Sequence, residues 1–403
     1  MPNLPDRRKE DFRPSYMDRS MRDLDWDERG RGSRKRQRMD DDYYDNTSEG
    51  NPLDGECDGH NVKDKEFYSG PQEANESVFC FKGVLFKLSD SALKRCPSLM
   101  TLLLNEDGQL QRTTDDEPLC MHKQAHLQCT RAEFRALVWA LHTPEERLRD
   151  PQPYADTDRI LTLAPICTVF GLDILHNWVL GIIKNIVADD VLMDSCASAT
   201  LQKLIQVASR LNLADVLSTA ASKWYNRILT KKEGSIVALQ TAEKYNLDDL
   251  RGIAYYVHLQ DMLDRQTASK DGIATELKAD DKLSSAQVMR LLSGYWSLVS
   301  FWERFRMAPL ELPRAPDCSE AGHKKCSTTW VRRWNSAIGW RRILSYNSAD
   351  ALNLISCLRD QLSNDDDLKL NVNPSCRLAG LTALKTKGED VKKNLRSHFV
   401  ACR

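Results

Sequence analysis

The sequence predicts an α+β fold: a small sheet flanked by helices over residues 76–187, then helical-hairpin repeats over 188–265 and a helical C-terminal region over 284–403. Three observations predict it. Two runs rich in β-formers flank a Gly turn near residue 83. A short helical pattern recurs, with Ala208 and Ala242 marking equivalent points 34 positions apart. A wide apolar stripe at helical spacing then runs from Val288 to Phe305.

The chain of 403 residues is long enough for two or three domains. Residues 1–75 are rich in Arg, Asp, Glu, Gly and Ser and poor in aliphatics. Such a segment buries too little apolar surface to offset its ordering entropy, so it reads as a disordered charged tail. Within it, Arg34, Lys35, Arg36 and Arg38 form a basic cluster, followed at once by Asp40, Asp41 and Asp42. A short basic cluster is a candidate nuclear import signal or nucleic-acid contact.

Order is expected from Glu76. Ser77 to Phe81 and Val84 to Leu88 are the two apolar runs, and Lys82-Gly83 joins them as a hairpin. Ser89 or Asp90 caps a helix carrying Leu93. Pro97 opens a second helical piece with Leu99, Met100, Leu103 and Leu104. Residues 105–117 are polar and loop-like, and Leu119 to Gln128 is weakly strand-like. Thr130, with Glu133 three residues on, forms a capping box for a helix whose inner face holds Phe134, Leu137, Val138 and Leu141. Pro144, Pro151 and Pro153 make 143–154 a loop.

Helical pattern takes over near Ile160. Residues 205–217 and 239–250 share Ala, then Asn-Leu, then Asp. Asn supplies the left-handed residue ending one helix, Leu packs in the turn, and Asp suits the positive start of the next. A looser copy runs from Leu161 to Leu175, with Ala164 as the small residue and Gly171-Leu172-Asp173 in the turn. Residues 266–283 read as a linker. Ser284 or Ser285 caps the helix carrying Val288, Leu291, Leu292, Tyr295, Trp296, Leu298, Val299, Trp302 and Phe305. Beyond Pro309, Pro313 and Pro316 lies a helix with Trp330, Trp334 and Ile338, then apolar segments at 351–362 and near Val391, Leu395 and Phe399.

Composition excludes some functions. The formal net charge of −1 gives no whole-chain attraction to nucleic acid or membrane. The N-terminus is charged where a secretory signal is apolar. The stretch Trp178 to Val187 is too short to span a bilayer and holds Lys184. A soluble protein of the nucleus or cytoplasm is the expectation, its 12 cysteines unpaired. No Gly-rich phosphate loop is present, and no cofactor is expected.

Cys318, His323 and Cys326 have residue types that suit zinc, and Cys376 could complete the set in space. No second pair sits at finger spacing, so the expected default is a loop with ordinary thiols. His122 and His126 lie four apart in a segment read as strand and loop, where they share no helical face. Trp330 and Trp334 beside Arg332, Arg333, Arg341 and Arg342 combine aromatics with positive charge. At helical spacing the two Trp turn inward together, which favours a core stripe with a solvated basic edge over a nucleic-acid surface.

The stretch from Glu76 to about Val187 resembles the BTB/POZ domain in its order of hairpin, two short helices, a strand pair and further helices. Phe134 to His142 with the Pro loop behind it, Val84 to Leu88, and Arg95 to Ser98 resemble the divergent form found in mushroom-type fungi. The helical pairs and the Cys-then-Trp-x-x-x-Trp tail resemble those proteins too. Glu76-Ser77 stands where the family usually has Asp, and Ser89 where it usually has His. The resemblance implies a protein-binding module that forms homodimers or heterodimers, with adaptor roles on cullin-type ubiquitin ligases or in transcriptional regulation in some members. It also implies contact through the first strand and helices, here Val78, Phe79, Leu93, Leu99, Met100 and Leu103. The alternative is a nuclear transcription or chromatin regulator touching DNA through the basic tail. A thiol-based enzyme is a third reading, resting on the cysteine count alone.

Overall fold

The main sheet of the computed structural model is built from β1 (Val62–Lys63), β2 (Glu76–Phe81), β3 (Val84–Ser89) and β4 (Leu119–Cys120), in the order β1-β3-β2-β4. The structure describes residues 61–68, 75–105, 107–121, 129–144, 157–230, 234–265, 267–268, 275–276 and 280–400. β2 and β3 form the expected hairpin, with Phe79 opposite Phe86 and Phe81 opposite Val84. Lys82 and Gly83 both take positive φ, 46° and 74°. That is the primed turn whose twist matches the flanking strands. β4 lies parallel to β2 and β1 parallel to β3.

β1 overturns part of the tail assignment. The chain enters the fold at about residue 61, ahead of Glu76. The reason lies in the hairpin, which is buried on both faces. Phe79, Phe81, Phe86 and Leu88 enter the main core. Val78, Cys80 and Leu85 point the other way and are covered by Tyr68. Burying side chains of this size stabilises by roughly 1.5–3 kcal/mol each. Charge alone hides this in the sequence: Lys63 pairs with Asp115 at 2.9 Å, and Lys87 lies 4.5 Å from the Tyr68 ring centre.

Helices α1 (Asp90–Lys94) and α2 (Pro97–Thr101) follow, Ser89 capping the first. α3 (Arg131–His142) starts with the predicted box: Thr130 Oγ1 accepts from Glu133 N, and Glu133 accepts from Thr130 N at 2.7 Å. Phe134 stacks on Phe81 at 5.0 Å and meets Phe86 edge-on at 5.3 Å, fixing the helix to the sheet. Buried Glu133 also pairs with Arg210, tying α3 to the helices beyond.

α4 (Thr157–Val169) with α5 (Asp173–Ala188), α7 (Ser198–Arg210) with α8 (Ala214–Leu229), and α9 (Ser235–Lys244) with α10 (Asp248–Asp264) are packed pairs, α6 (Asp190–Ser195) lying between the first and second. Each pair turns through one left-handed residue: Gly171 at φ 63°, Asn212 at 54°, Asn246 at 53°. In each, the next Leu N–H reaches back five residues: Leu172 to Cys167 O at 2.9 Å, Leu213 to Ala208 O at 2.8 Å, and Leu247 to Ala242 O at 2.9 Å. This is the Schellman end, with Gly or Asn at its left-handed position. The partner of Ala208 and Ala242 in the first pair is therefore Cys167, not Ala164. The register was misread because Ala164 also faces the core.

The segment read as a linker contains a small hairpin, β5 (Thr267–Ala268) against β6 (Thr275–Glu276). Beyond it stand α11 (Ser285–Met307), α12 (Glu320–Ile338), α13 (Arg341–Leu344), α14 (Ala351–Asn364), α15 (Asp366–Asn371) and α16 (Pro374–Lys393), then a 3-10 turn, Leu395–His398. Ser284 and Gln287 form the capping box of α11. This region does not stand apart. One continuous core runs from Phe79 to Phe399. Glu243 of α9 accepts from Tyr255, Gln287 and Arg290 at 2.6, 2.9 and 2.7 Å, joining α9, α10 and α11. Tyr256 donates to Asp350 at 2.5 Å. Burial first, then Asp350, holds its phenol well above the usual 10.0. No helix among the described residues is long and apolar enough to cross a membrane.

Candidate functional site

Proline-rich chain, a helix start and a second helix start meet at one sulphur cluster. Cys318 closes the segment after Pro309, its N–H bonded to Ala315 O at 3.0 Å. Ser319 then caps α12 by accepting from Gly322 N at 3.2 Å. Cys326 lies two turns further in. Cys376 sits in the first turn of α16, where the Asn373 side chain accepts from Ser375 N and Cys376 N at 2.9 and 3.1 Å. The three Sγ atoms lie within 4.8 Å of one another, and all three residues are buried.

The surroundings of the sulphurs are specific. Ala315 N–H donates to Cys376 Sγ and Asn373 N–H to Cys326 Sγ, both at 3.3 Å. His323 Nδ1 lies 3.6 Å from Cys376 Sγ, and its Nε2 faces Ser327 Oγ at 3.4 Å. Asp317 accepts from Ser375 Oγ at 3.0 Å, pinning the two helix starts together. Burial, then the neighbouring Cys376 and Cys326, pushes the Cys318 thiol up to about 11. The structure thus gathers the predicted Cys318, His323 and Cys326 with Cys376, contributed from fifty residues away. α12 explains the local spacing: His323 and Cys326 are i and i+3 on one helical face.

A second feature is an outward apolar face on α11. Met289, Leu292 and Trp296 fall at i, i+3 and i+7 and are 52%, 43% and 71% exposed. Leu291, Leu298, Trp302 and Phe305 of the same helix are buried. The sequence reading put Leu292 and Trp296 in one wide apolar stripe with these residues. A stripe that wide has more apolar arc than one packed face can cover, and that width was the available signal. A cleft of about 740 Å³ lies elsewhere, between α8, the α9–α10 turn and the end of α16, lined by Ser218, Tyr225, Asp248 and Lys392 among others.

The residues expected to contact a partner through the first strand and helices are placed differently. Val78, Phe79, Leu93, Leu99 and Leu103 are buried inside this chain, and Met100 alone of the six is partly exposed. They are spent on the sheet and its covering helices. Trp330 and Trp334 are fully buried, their indoles donating to Leu310 O and Arg306 O at 2.9 and 3.0 Å. Arg332 and Arg333 pair with Asp367 and Asp365 at 2.6 and 2.8 Å, so that edge carries compensated charge. Burial pushes the thiols of Cys96 and Cys129 up to about 11 and that of Cys167 to about 12, which suppresses the reactive thiolate. Arg34, Lys35, Arg36 and Arg38, and His122 and His126, lie outside the described residues.

Set beside known proteins, the chain matches no family model, no curated protein and no solved structure.

Proposed function

We propose that this chain is a protein-interaction module that works by burying surface rather than by catalysis. The observation that carries the reading is the outward face of α11: a tryptophan 71% exposed, flanked on the same face by Met289 and Leu292. Trp is the residue most enriched among energetic anchors of interfaces, and Met is enriched at their cores. A stable interface needs at least ~1,000 Å² of buried surface, so this face is the anchor of a larger contact.

Two further features support the reading. The order of hairpin, α1, α2, β4 beside β2 and then α3 to α5 follows what the BTB/POZ resemblance implies, with one strand of the expected pair among the described residues. The shared turn geometry supports treating the helical pairs as repeat units, a construction that presents binding surface. The partner class is a polypeptide: a second copy of the chain, or a scaffold such as a cullin-type ligase or a regulatory complex. Burial of Val78, Phe79 and Leu99 shifts the expected contact away from the first strand and towards α11.

Light scattering on the full chain over rising concentration tests the self-association half. A mass above one chain that falls to one chain in Trp296→Asp, at unchanged circular dichroism, is the expected result. A strict monomer leaves a heterologous partner, read by crosslinking in native extract. Partner capture identical in wild type and Trp296→Asp would sink the assignment of this face.

A further inference from the structure

We propose that Cys318, His323, Cys326 and Cys376 hold one zinc ion in a closed S3N set. The ion would fasten the proline-rich crossing, α12 and the start of α16 to one another. Three sulphur ligands and one imidazole are an ordinary structural zinc set. A zinc–sulphur bond of about 2.3 Å puts tetrahedral sulphurs about 3.8 Å apart. The three Sγ atoms already lie within 4.8 Å of one another and His323 Nδ1 stands 3.6 Å from Cys376 Sγ, so side-chain rotation would bring the four donors to one centre.

Four observations independent of the ligand types point the same way. The backbone N–H groups of Ala315 and Asn373 each aim at a sulphur at 3.3 Å. Backbone N–H groups so placed orient a ligating sulphur from outside the set. Cys376 lies in the first turn of the 20-residue α16, and Cys318 directly precedes the cap of the 19-residue α12. Two positive helix ends therefore face a set whose net charge with zinc is −1. His323 offers Nδ1 to the cluster while Ser327 meets its Nε2, the outer partner that orients a ligating imidazole. Finally, Gly380, one turn beyond Cys376, is held so close that an added Cβ would lie 2.6 Å from Leu312. Helix α16 is thus pressed onto the proline-rich segment beside the site.

The role is structural. All four positions are filled by protein, which leaves no open place for substrate. Metal binding in such sets requires deprotonated thiols and is coupled to folding. Loss of the ion would leave three buried thiols facing each other between two helix ends.

The test uses the full chain purified under reducing conditions without chelator. Elemental analysis should find one zinc per chain, and Cys376→Ser and Cys318→Ser should lower it to background. Cys357→Ser, a buried thiol on α14 outside the cluster, should keep the full equivalent. Cobalt added to reduced metal-free wild type should give the visible bands of tetrahedral thiolate coordination, a readout that needs no folded variant. His323→Cys should retain the metal where His323→Ala releases it to chelator. The proposal is overturned if wild type carries background zinc, if cobalt gives no tetrahedral band, if Cys376→Ser keeps its zinc, or if thiol counting finds two of the three cysteines joined as a disulfide.

Discussion

The helical pairs from α4 to α10 and the helices from α11 onward are joined by different means. In the pairs, each junction is local: a left-handed Gly or Asn, a Leu N–H reaching back five residues, and an acid in the next first turn. In the C-terminal region, junctions link parts far apart in sequence. Tyr256 meets Asp350, Arg396 meets Asp248, and Cys376 joins Cys318 and Cys326. Local junctions cost little loop entropy and tolerate loss one at a time. Distant junctions gather several dependent contacts at one place, so a single change there disturbs more.

The sharpest place to break the C-terminal side is its last turn. Phe399 is 3% exposed and stacks on Tyr255 at 5.3 Å. Gly294 of α11 makes room for that ring: a Cβ there would lie 2.1 Å from it. Phe399→Ala should cost about 3–5 kcal/mol in urea unfolding. A loss below ~1 kcal/mol would show that the turn is not integral to the fold. Gly252→Ala comes next. Its added Cβ would meet the Arg396 backbone N at 2.6 Å, and backbone yields less than a side chain. An overpacking cost of about 1–3 kcal/mol is expected.

The local side responds more weakly. Asn212→Ala places a residue with a Cβ and no compensating amide at φ 54°, for about 1–2 kcal/mol, while Asn212→Gly should be close to neutral. Equal losses in both variants would mean that the Asn side chain, and not its backbone angle, matters.

Two histidines, His258 buried and His398 half-buried, sharpen the comparison by pH. His258 of α10 is held below its usual 6.5 by burial and then by Arg265. His398, at the C-terminal turn, is held below it by burial. Both bind their protons less tightly when folded, so below pH 6.5 the unfolded chain binds more protons than the folded one. Their stabilising contribution is full above that value and is lost as pH falls through the depressed folded values. Unfolding midpoints should drop between about pH 7 and about pH 5, and less in His258→Gln and His398→Gln. A pH slope unchanged in both variants would assign the effect to other groups. The smallest effect is expected at the exposed pair Lys385–Glu389, 3.7 Å apart on α16. Lys385→Ala should change stability by no more than about 0.5 kcal/mol.

Legibility follows the same division. The hairpin, the Thr130–Glu133 box, the Ser284 cap and the Asn turns were readable because each depends on residues a few positions apart. The entry strand at Val62 was missed because its own residues are exposed and the apolar pair that follows, Phe67 and Tyr68, is short and set among charged residues. The outward turn of Leu292 and Trp296 within the apolar stripe was not readable, because periodicity reports an apolar arc and not which part of it a neighbour covers. Of the sulphur cluster, the Cys318, His323 and Cys326 spacing was visible on one helix and its lead-in. Cys376 carried no local mark of belonging with them.

The sequence by itself determined the α+β class, the helix starts and the turn residues, since capping and backbone angles are set within a turn or two of chain. Only the tertiary structure decided that one core unites the sheet with the last turn, that Trp296 faces outward, and that Cys376 joins Cys318, His323 and Cys326. Those outcomes depend on which surfaces meet after distant segments pack, and pairing at such range leaves no fixed spacing to read.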